Sequence, residues 1–217
     1  NSMMDEIAEA RDMDPIENAL QLLGEDRDLS FEGEKEGTFE NYGEKIENFP
    51  WNTGRMKKVI EEVAQKSNWK THRDSGKAIG FAAHKSFLTY VACVVLVEKD
   101  ANGKLSIPEV HYAVDCGVGV NTDRIRSQFE GGAQFATSLA MTSAITFEEG
   151  KVQQNNFDTY QIIRMPHSPK KIHVHIMPST IKPTGVGEPP VPPYIPALAN
   201  AVYKLTGNRI YELPFKV

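Results

Sequence analysis

Cysteine is nearly absent from this sequence: Cys93 and Cys116 are the only two among 217 residues. Two thiols exclude a disulfide framework, and they cannot supply the set of thiolates, usually four, that holds an iron–sulfur cluster. An electron-transfer cluster, if one serves this protein, is expected on a different chain. No apolar run approaches the roughly 20 residues needed to cross a bilayer, and Asn1 to Asp5 have no signal-peptide layout. A soluble chain without a transmembrane segment is therefore expected. A concentrated basic surface is missing too: 24 Lys and Arg are scattered among 29 Asp and Glu, for a net charge of -5. Phosphate backbones bind concentrated positive charge, so nucleic acid is not an expected partner. There is no internal repeat and no low-complexity tract. With 40% hydrophobic residues, the chain can bury a core of its own, as one large domain or two small ones.

Helical spacing of apolar residues runs over Met3–Ala10 and Pro15–Leu23, with Asp14-Pro15 as N-cap and first-turn proline. From Gly24 to Trp51 the sequence turns polar, acidic and glycine-rich, which reads as a solvated connector. Thr53–Trp69 begins at a capping residue and places Met56, Val59, Ile60 and Val63 on one face, predicting an amphipathic helix. Ala78–Ala83, Phe87–Glu98 and Leu105–Asp115 are predicted strands, the last two joined as a hairpin by the turn chemistry of Asp100-Ala-Asn-Gly-Lys. Asn121-Thr-Asp caps a helix to Ala140 that carries Gln128 and the Gly131-Gly132 pair. Short strands are expected over Ala144–Phe147 and Lys171–Met177, and a last helix over Tyr194–Thr206, stopped by Gly207-Asn208. Strands and helices do not alternate as βαβ units, so the expected class is α+β with mixed sheets and packed helices.

The segment Lys182-Pro-Thr-Gly-Val-Gly-Glu-Pro-Pro-Val-Pro-Pro is the most informative. Gly185 and Gly187 allow close backbone approach or a positive φ, and the prolines after Glu188 fix the loop. Partial desolvation by Val186 and Val191 would disfavour the Glu188 carboxylate and move it toward the role of a general base near neutral pH. The plainer alternative is a proline-rich loop whose glutamate caps a helix or pairs with a lysine. His84 reads as a structural histidine. Asp115 and Cys116 read as turn-shaping residues, with no base beside the thiol in sequence to make it a nucleophile. Phe157, Tyr160, Trp69 and Tyr194 read as core or loop-anchoring aromatics, although one of them could line a pocket for a flat ring.

Gly185-Val-Gly-Glu-Pro-Pro resembles the signature in which molybdenum hydroxylases, the xanthine dehydrogenase and aldehyde oxidase family, carry their catalytic glutamate. His84-Lys-Ser-Phe-Leu-Thr-Tyr-Val-Ala, Ala113-Val-Asp-Cys-Gly-Val-Gly-Val-Asn, Gln128-Phe-Glu-Gly-Gly, Asn156-Phe-Asp-Thr-Tyr and Pro196-Ala-Leu-Ala-Asn-Ala resemble, in the same order, the closing portion of the molybdopterin-binding large subunit of the isoquinoline 1-oxidoreductase beta-subunit group. The resemblance runs nearly end to end and is weakest in the acidic connector. It implies residues 1–52 as a helical segment and connector, and 53–217 as the C-terminal portion of an α+β molybdenum-cofactor-binding domain. It implies a molybdenum–pyranopterin cofactor (molybdopterin, or its cytosine dinucleotide form), with no protein side chain ligating the metal, so no His/Cys cluster is expected. Glu188 would take the proton from a molybdenum-bound hydroxide that attacks an electron-poor carbon, while hydride passes to a sulfido ligand. The oxygen inserted into an N-heteroaromatic or aldehyde substrate then comes from water. Gln128, Gly131, Gly185 and Gly187 are the implied cofactor-binding residues. The implied partners are a small [2Fe-2S] subunit, the rest of the large subunit and a small-molecule substrate.

The family's earlier glycine-rich cofactor loops are not in this sequence. The expectation is a piece of a longer polypeptide or one chain of a split subunit, inactive and free of molybdenum by itself, with periplasm and cytoplasm both open as compartments. The competing reading is a non-catalytic scaffold or partner-binding domain that keeps the fold; Glu188 in its Gly/Pro frame favours the enzyme.

Overall fold

The computed structural model describes residues 1–29 and 41–216; the glycine- and glutamate-rich middle of the expected connector lies outside them. Helices α1 (Ser2–Ala10) and α2 (Pro15–Leu23) form as the spacing predicts, and the Asp14 side chain accepts from the Ile16 and Glu17 amides. The described ends of the connector are structured. Asp28–Leu29 (β1) pairs with Trp51–Asn52 (β2), and buried Asn41 donates its amide to the Phe49 carbonyl at 2.9 Å. Helix α3 (Thr53–Lys66) is capped one residue earlier than expected, by Asn52, whose Oδ1 accepts from the Arg55 amide at 2.7 Å. The Thr53 hydroxyl instead donates to the Glu25 carbonyl at 2.7 Å. The helix expected to reach Trp69 stops at Lys66, because Asn68 takes a left-handed conformation and Trp69–Asp74 starts a separate short helix, α4.

Three long strands follow: β3 (Ala78–Ser86), β4 (Thr89–Lys99) and β5 (Leu105–Asp115), paired antiparallel in that order. Pro108 has no N–H to give the ladder, and the β4–β5 register shifts opposite it, between Leu96 and Glu98. Helix α5 (Thr122–Met141), capped by Asn121, carries the chain to a small hairpin, β6 (Phe147–Glu148) with β7 (Lys151–Val152). The strand expected over Ala144–Phe147 is reduced to that short pair. Strand β8 (Lys171–Ile176) then lies parallel to β5, completing a mixed sheet of order β3-β4-β5-β8. Helix α6 (Val191–Thr206) starts three residues before Tyr194, with prolines in its first turn, where missing N–H groups cost nothing. The class is α+β, as expected.

Both faces of the sheet are covered. On one, Val91, Cys93, Val95, Val110, Tyr112 and Val114 pack against α5 and α6. On the other, Ile79, Phe81, Tyr90, Ala92, Val94 and Leu96 pack against α3, Trp69 and the apolar side of α2. That double burial explains why β4 reads as a continuous apolar run rather than an alternating one. Gly80 lets α6 lie directly on β3, and Asn200 on α6 donates to the Phe81 carbonyl at 3.1 Å. Tyr194 and Trp69 are core residues, whereas Phe157 is 87% exposed and anchors nothing here. No helix among the described residues is long and apolar enough to cross a membrane.

Candidate active site

The loop carrying Glu188 is tied down along its length. The Ile181 carbonyl accepts from the Val118 amide at 2.9 Å, and the Thr184 amide donates to the Cys116 carbonyl at 2.9 Å. Gly117, at φ +71°, is required there, since a Cβ would lie 2.2 Å from the Lys182 carbonyl oxygen. Thr184 and Thr89 share a hydroxyl hydrogen bond of 2.6 Å, and the Gly185 amide donates to the Phe87 carbonyl at 3.1 Å. Past Glu188, the buried Pro190 packs on α5, where a Cβ on Gly132 would fall 2.4 Å from its Cγ; its carbonyl accepts from the buried Tyr112 hydroxyl at 3.2 Å. The Val191 amide closes the turn on the Glu188 carbonyl at 2.9 Å.

The anchor on the sheet side is the β3–β4 turn. Phe87 and Leu88 both have positive φ, 48° and 66°, a conformation usually left to Gly or Asn and worth about 1–2 kcal/mol of strain per residue. The strand expected to begin at Phe87 therefore begins at Thr89. Phe87 stacks on Tyr42 with centroids 4.9 Å apart, and a Cβ on Gly185 would sit 2.7 Å from the Phe87 Cβ. Gly185 thus owes its identity to close approach, not to a positive φ.

All five expected site residues are exposed, but they do not all have the same neighbours. Gln128 lies one helical turn before Gly132 on α5, so the Gly132–Pro190 contact joins its helix to the Glu188 loop. A Cβ on Gly131 or Gly187 would meet nothing within 4 Å, so neither glycine is required by packing inside this chain. Gly185 faces the hairpin turn instead. Of the Gly131-Gly132 pair, Gly132 alone provides close packing one turn from Gln128. The desolvation of Glu188 expected from Val186 and Val191 is not supplied by this chain, because the carboxylate stands in solvent. An apolar cavity of about 250 Å³ lies elsewhere, between α1, α2 and α3, and none of the expected site residues lines it.

Around the loop, burial pulls the pKa of His84 below the usual imidazole range against the opposing charge of Glu188. Burial and the Asp115 charge push the Cys116 thiol up, in keeping with a structural cysteine. Asp115 is held by Arg55 through two short bonds, Nε–Oδ2 at 2.7 Å and Nη2–Oδ1 at 2.8 Å. Arg55 lies over the Tyr90 ring at 4.5 Å and Lys85 over the same ring at 5.6 Å. Lys85, which the motif reading left without a role, has its pKa lowered to about 8, first by burial and then by Arg55. Its charged form is disfavoured in the fold, so stability should rise with pH between about 8 and the ordinary lysine range, as that penalty lifts. Lys85→Met should flatten that rise between pH 8 and pH 10.5. Urea unfolding of the parent and the variant at the two pH values checks the sign.

One constellation escaped the sequence reading. Glu109 and His111 on β5 and His173 on β8 present ligand atoms within 4.8 Å of one another, although no histidine cluster was expected. Its signal was present as Glu-x-His in one strand and His-x-His in another, but only the parallel pairing of β5 with β8 joins them.

A family profile described as the molybdopterin cofactor-binding domain matches residues 14–169. The isoquinoline 1-oxidoreductase subunit beta of Brevundimonas diminuta is 31% identical over 162 residues, covering 73% of this chain and 21% of that protein. The membrane-bound aldehyde dehydrogenase [pyrroloquinoline-quinone] of Gluconacetobacter polyoxogenes is 28% identical over 222 residues, covering 98% of this chain and 26% of that protein. Among solved structures, quinoline 2-oxidoreductase from Pseudomonas putida 86 shares the fold with a TM-score of 0.52 at 20% identity, over 58% of this chain and 17% of that one. The chain thus spans about a quarter or less of the curated relatives it matches.

Proposed function

Because the chain belongs to the molybdopterin cofactor-binding domain family of the molybdenum hydroxylases, we propose that it is the C-terminal portion of a subunit that hydroxylates an N-heteroaromatic or aldehyde substrate with oxygen from water, and that Glu188 is the general base. The observation that carries this reading is the Glu188 loop: an exposed carboxylate, with little to do for the fold, held between a strained hairpin turn on one side and the Gly132–Pro190 contact on the other. Strain and fixed loops of this kind concentrate where a side chain must be presented at a set position.

The residues present fit the family's cofactor. Gln128 offers an exposed amide with both donors and an acceptor, and Gly131 and Gly187 are open backbone with no neighbour of their own to accommodate. In this proposal Gln128, Gly131 and Gly187 hold the pyranopterin, as molybdopterin or its cytosine dinucleotide, and Gly185 sets the loop against Phe87. The bound cofactor supplies the two-electron oxidation that hydroxylation of carbon requires. Glu188 accepts the proton of the attacking water-derived oxygen at its carboxylate and is later returned to the ionised form by solvent. The part of the large subunit outside this chain covers the loop, supplies the desolvation this chain does not, and shapes the substrate pocket. Phe147, Phe157 and Met165, each more than two-thirds exposed between α5 and β8, suit contact with it. Electrons leave through a small [2Fe-2S] subunit.

The test is the cofactor content of the full-length polypeptide purified with its partners. About one molybdenum per large subunit with a recoverable pterin is expected, and well below one for this chain alone. A pyrroloquinoline quinone without molybdenum, the cofactor for which one relative is named, would overturn the reading. Gly131→Ala separates a role in the fold from a role at the cofactor. With nothing to clash, alanine should stabilise the chain by about 0.5–1 kcal/mol in urea unfolding, while molybdenum occupancy of the complete enzyme falls.

A further inference from the structure

The side of the sheet opposite α6 and the Glu188 loop is apolar wherever β3 and β4 face α3, but it ends in a group of histidines. Period two puts Glu109, His111 and Ala113 of β5 on that side, and the parallel register sets His111 beside His173 and Ala113 beside His175. The His111 and His173 rings stack with centroids 4.5 Å apart at 21°, and His175 lies 6.0 Å from His111, nearly parallel to it. His111 is 6% exposed. Its Nε2 is 3.2 Å from Glu109 Oε2, while His111 Nδ1 and His175 Nε2 are buried with no hydrogen-bond partner. Burying ring nitrogens without partners is costly, and apolar side chains fill the equivalent places on β3 and β4. Of the two, the His175 nitrogen is the one that a ligand held by Glu109 and by His111 Nε2 could satisfy.

We propose that Glu109, His111 and His173 form a binding site for a first-row divalent cation of the zinc type, with His175 beside them as a further donor. The donor set is imidazole and carboxylate, which suits zinc and its neighbours and not magnesium or calcium. Tetrahedral bonds of about 2.1 Å place ligand atoms about 3.4 Å apart; the 3.2 Å between Glu109 and His111 already meets this. The remaining ligand atoms, all within 4.8 Å of one another, would close by rotation of His173, which is partly exposed on the edge strand. The charge of Lys66 acts on His175 and that of Lys171 on Glu109, and these positive charges oppose a dication, so binding weaker than at a structural zinc site is expected. The ion would tie edge strand β8 to β5 across the sheet's single parallel pair among the described residues. It is independent of the cofactor site, which lies on the other face.

The test is titration of the full chain, stripped of metal and carrying no histidine tag, with Zn2+ by calorimetry and with Co2+ by absorption. One equivalent should bind, with cobalt bands of four-coordinate intensity and a rise in Tm. His173→Ala and Glu109→Gln, both at partly exposed positions, should each weaken binding tenfold or more while the far-ultraviolet circular dichroism of the chain is unchanged. His111→Ala serves only with a folding check, because that side chain is buried. Absence of saturable binding, or binding of equal affinity in His173→Ala and Glu109→Gln, would overturn the proposal.

Discussion

Replacing Glu188 by glutamine in the complete enzyme is expected to lower kcat by about 10²–10⁴, the usual contribution of a positioned general base, with the molybdenum content unchanged. Glutamine keeps the size and the hydrogen-bonding reach of the side chain but cannot take a proton. Because Glu188 is exposed and no side-chain hydrogen bond or salt bridge from it is seen among the described residues, the substitution should not disturb the loop, whose anchors are the backbone bonds of Thr184, Gly185 and Val191. A base acts in the transition state, so kcat and kcat/KM should fall together. A rise in KM at constant kcat would instead make Glu188 a substrate-binding group. Activity within a few-fold of the parent would remove it from the mechanism and favour the scaffold reading.

Gly80→Val should be the most damaging single change to the fold. A Cβ at Gly80 would stand 2.1 Å from the Ala197 carbonyl oxygen and 2.4 Å from the Ala201 amide nitrogen, both backbone atoms of α6. No side-chain rotation relieves that contact, and α6 would have to lift from the sheet. Lifting it exposes Ala197, Leu198 and Ala201 and breaks the Asn200–Phe81 hydrogen bond. A loss of about 4 kcal/mol or more is expected, at the high end for point substitutions, read as a large drop in the urea midpoint or as failure to recover folded chain. Since Glu188 precedes α6 directly, a folded Gly80→Val protein should also lose cofactor. An unfolding free energy within about 1 kcal/mol of the parent would show that α6 does not lie directly on β3 at Gly80.

Several elements could be read directly from the residues. Asp14-Pro15 and Asn121 start helices because their side chains take up otherwise unpaired amides, and Asp100 to Lys104 turn because Asp100 accepts from the Asn102 and Lys104 amides. The β3–β4 turn was misplaced because Phe87-Leu88 carries none of the residues that usually take positive φ, so the expected break fell at residues 84–86 and Phe87 was assigned to the next strand. The start of α6 was hidden by its own prolines, which read as a loop until their place in the first turn is known. At the site, the Gly/Pro frame of Glu188 was legible and the carboxylate's surroundings were not, since solvent exposure depends on what packs above the loop. The Glu109–His111–His173 group was illegible for another reason. It depends on a parallel pairing whose two strands are separated by a long helix and a hairpin, and no local pattern reports such a pairing.

The central claim is that this chain presents the base for a hydroxylation whose oxygen comes from water. The most direct measurement is a turnover of the complete enzyme in ¹⁸O-labelled water, with mass analysis of the product, using an N-heteroaromatic compound and an aldehyde as substrates. Label in the newly formed hydroxyl or carboxyl oxygen under single-turnover conditions, lost when Glu188 is glutamine, is the predicted result. Product oxygen drawn from dioxygen, or labelled product formed at an undiminished rate by the glutamine variant, would contradict it.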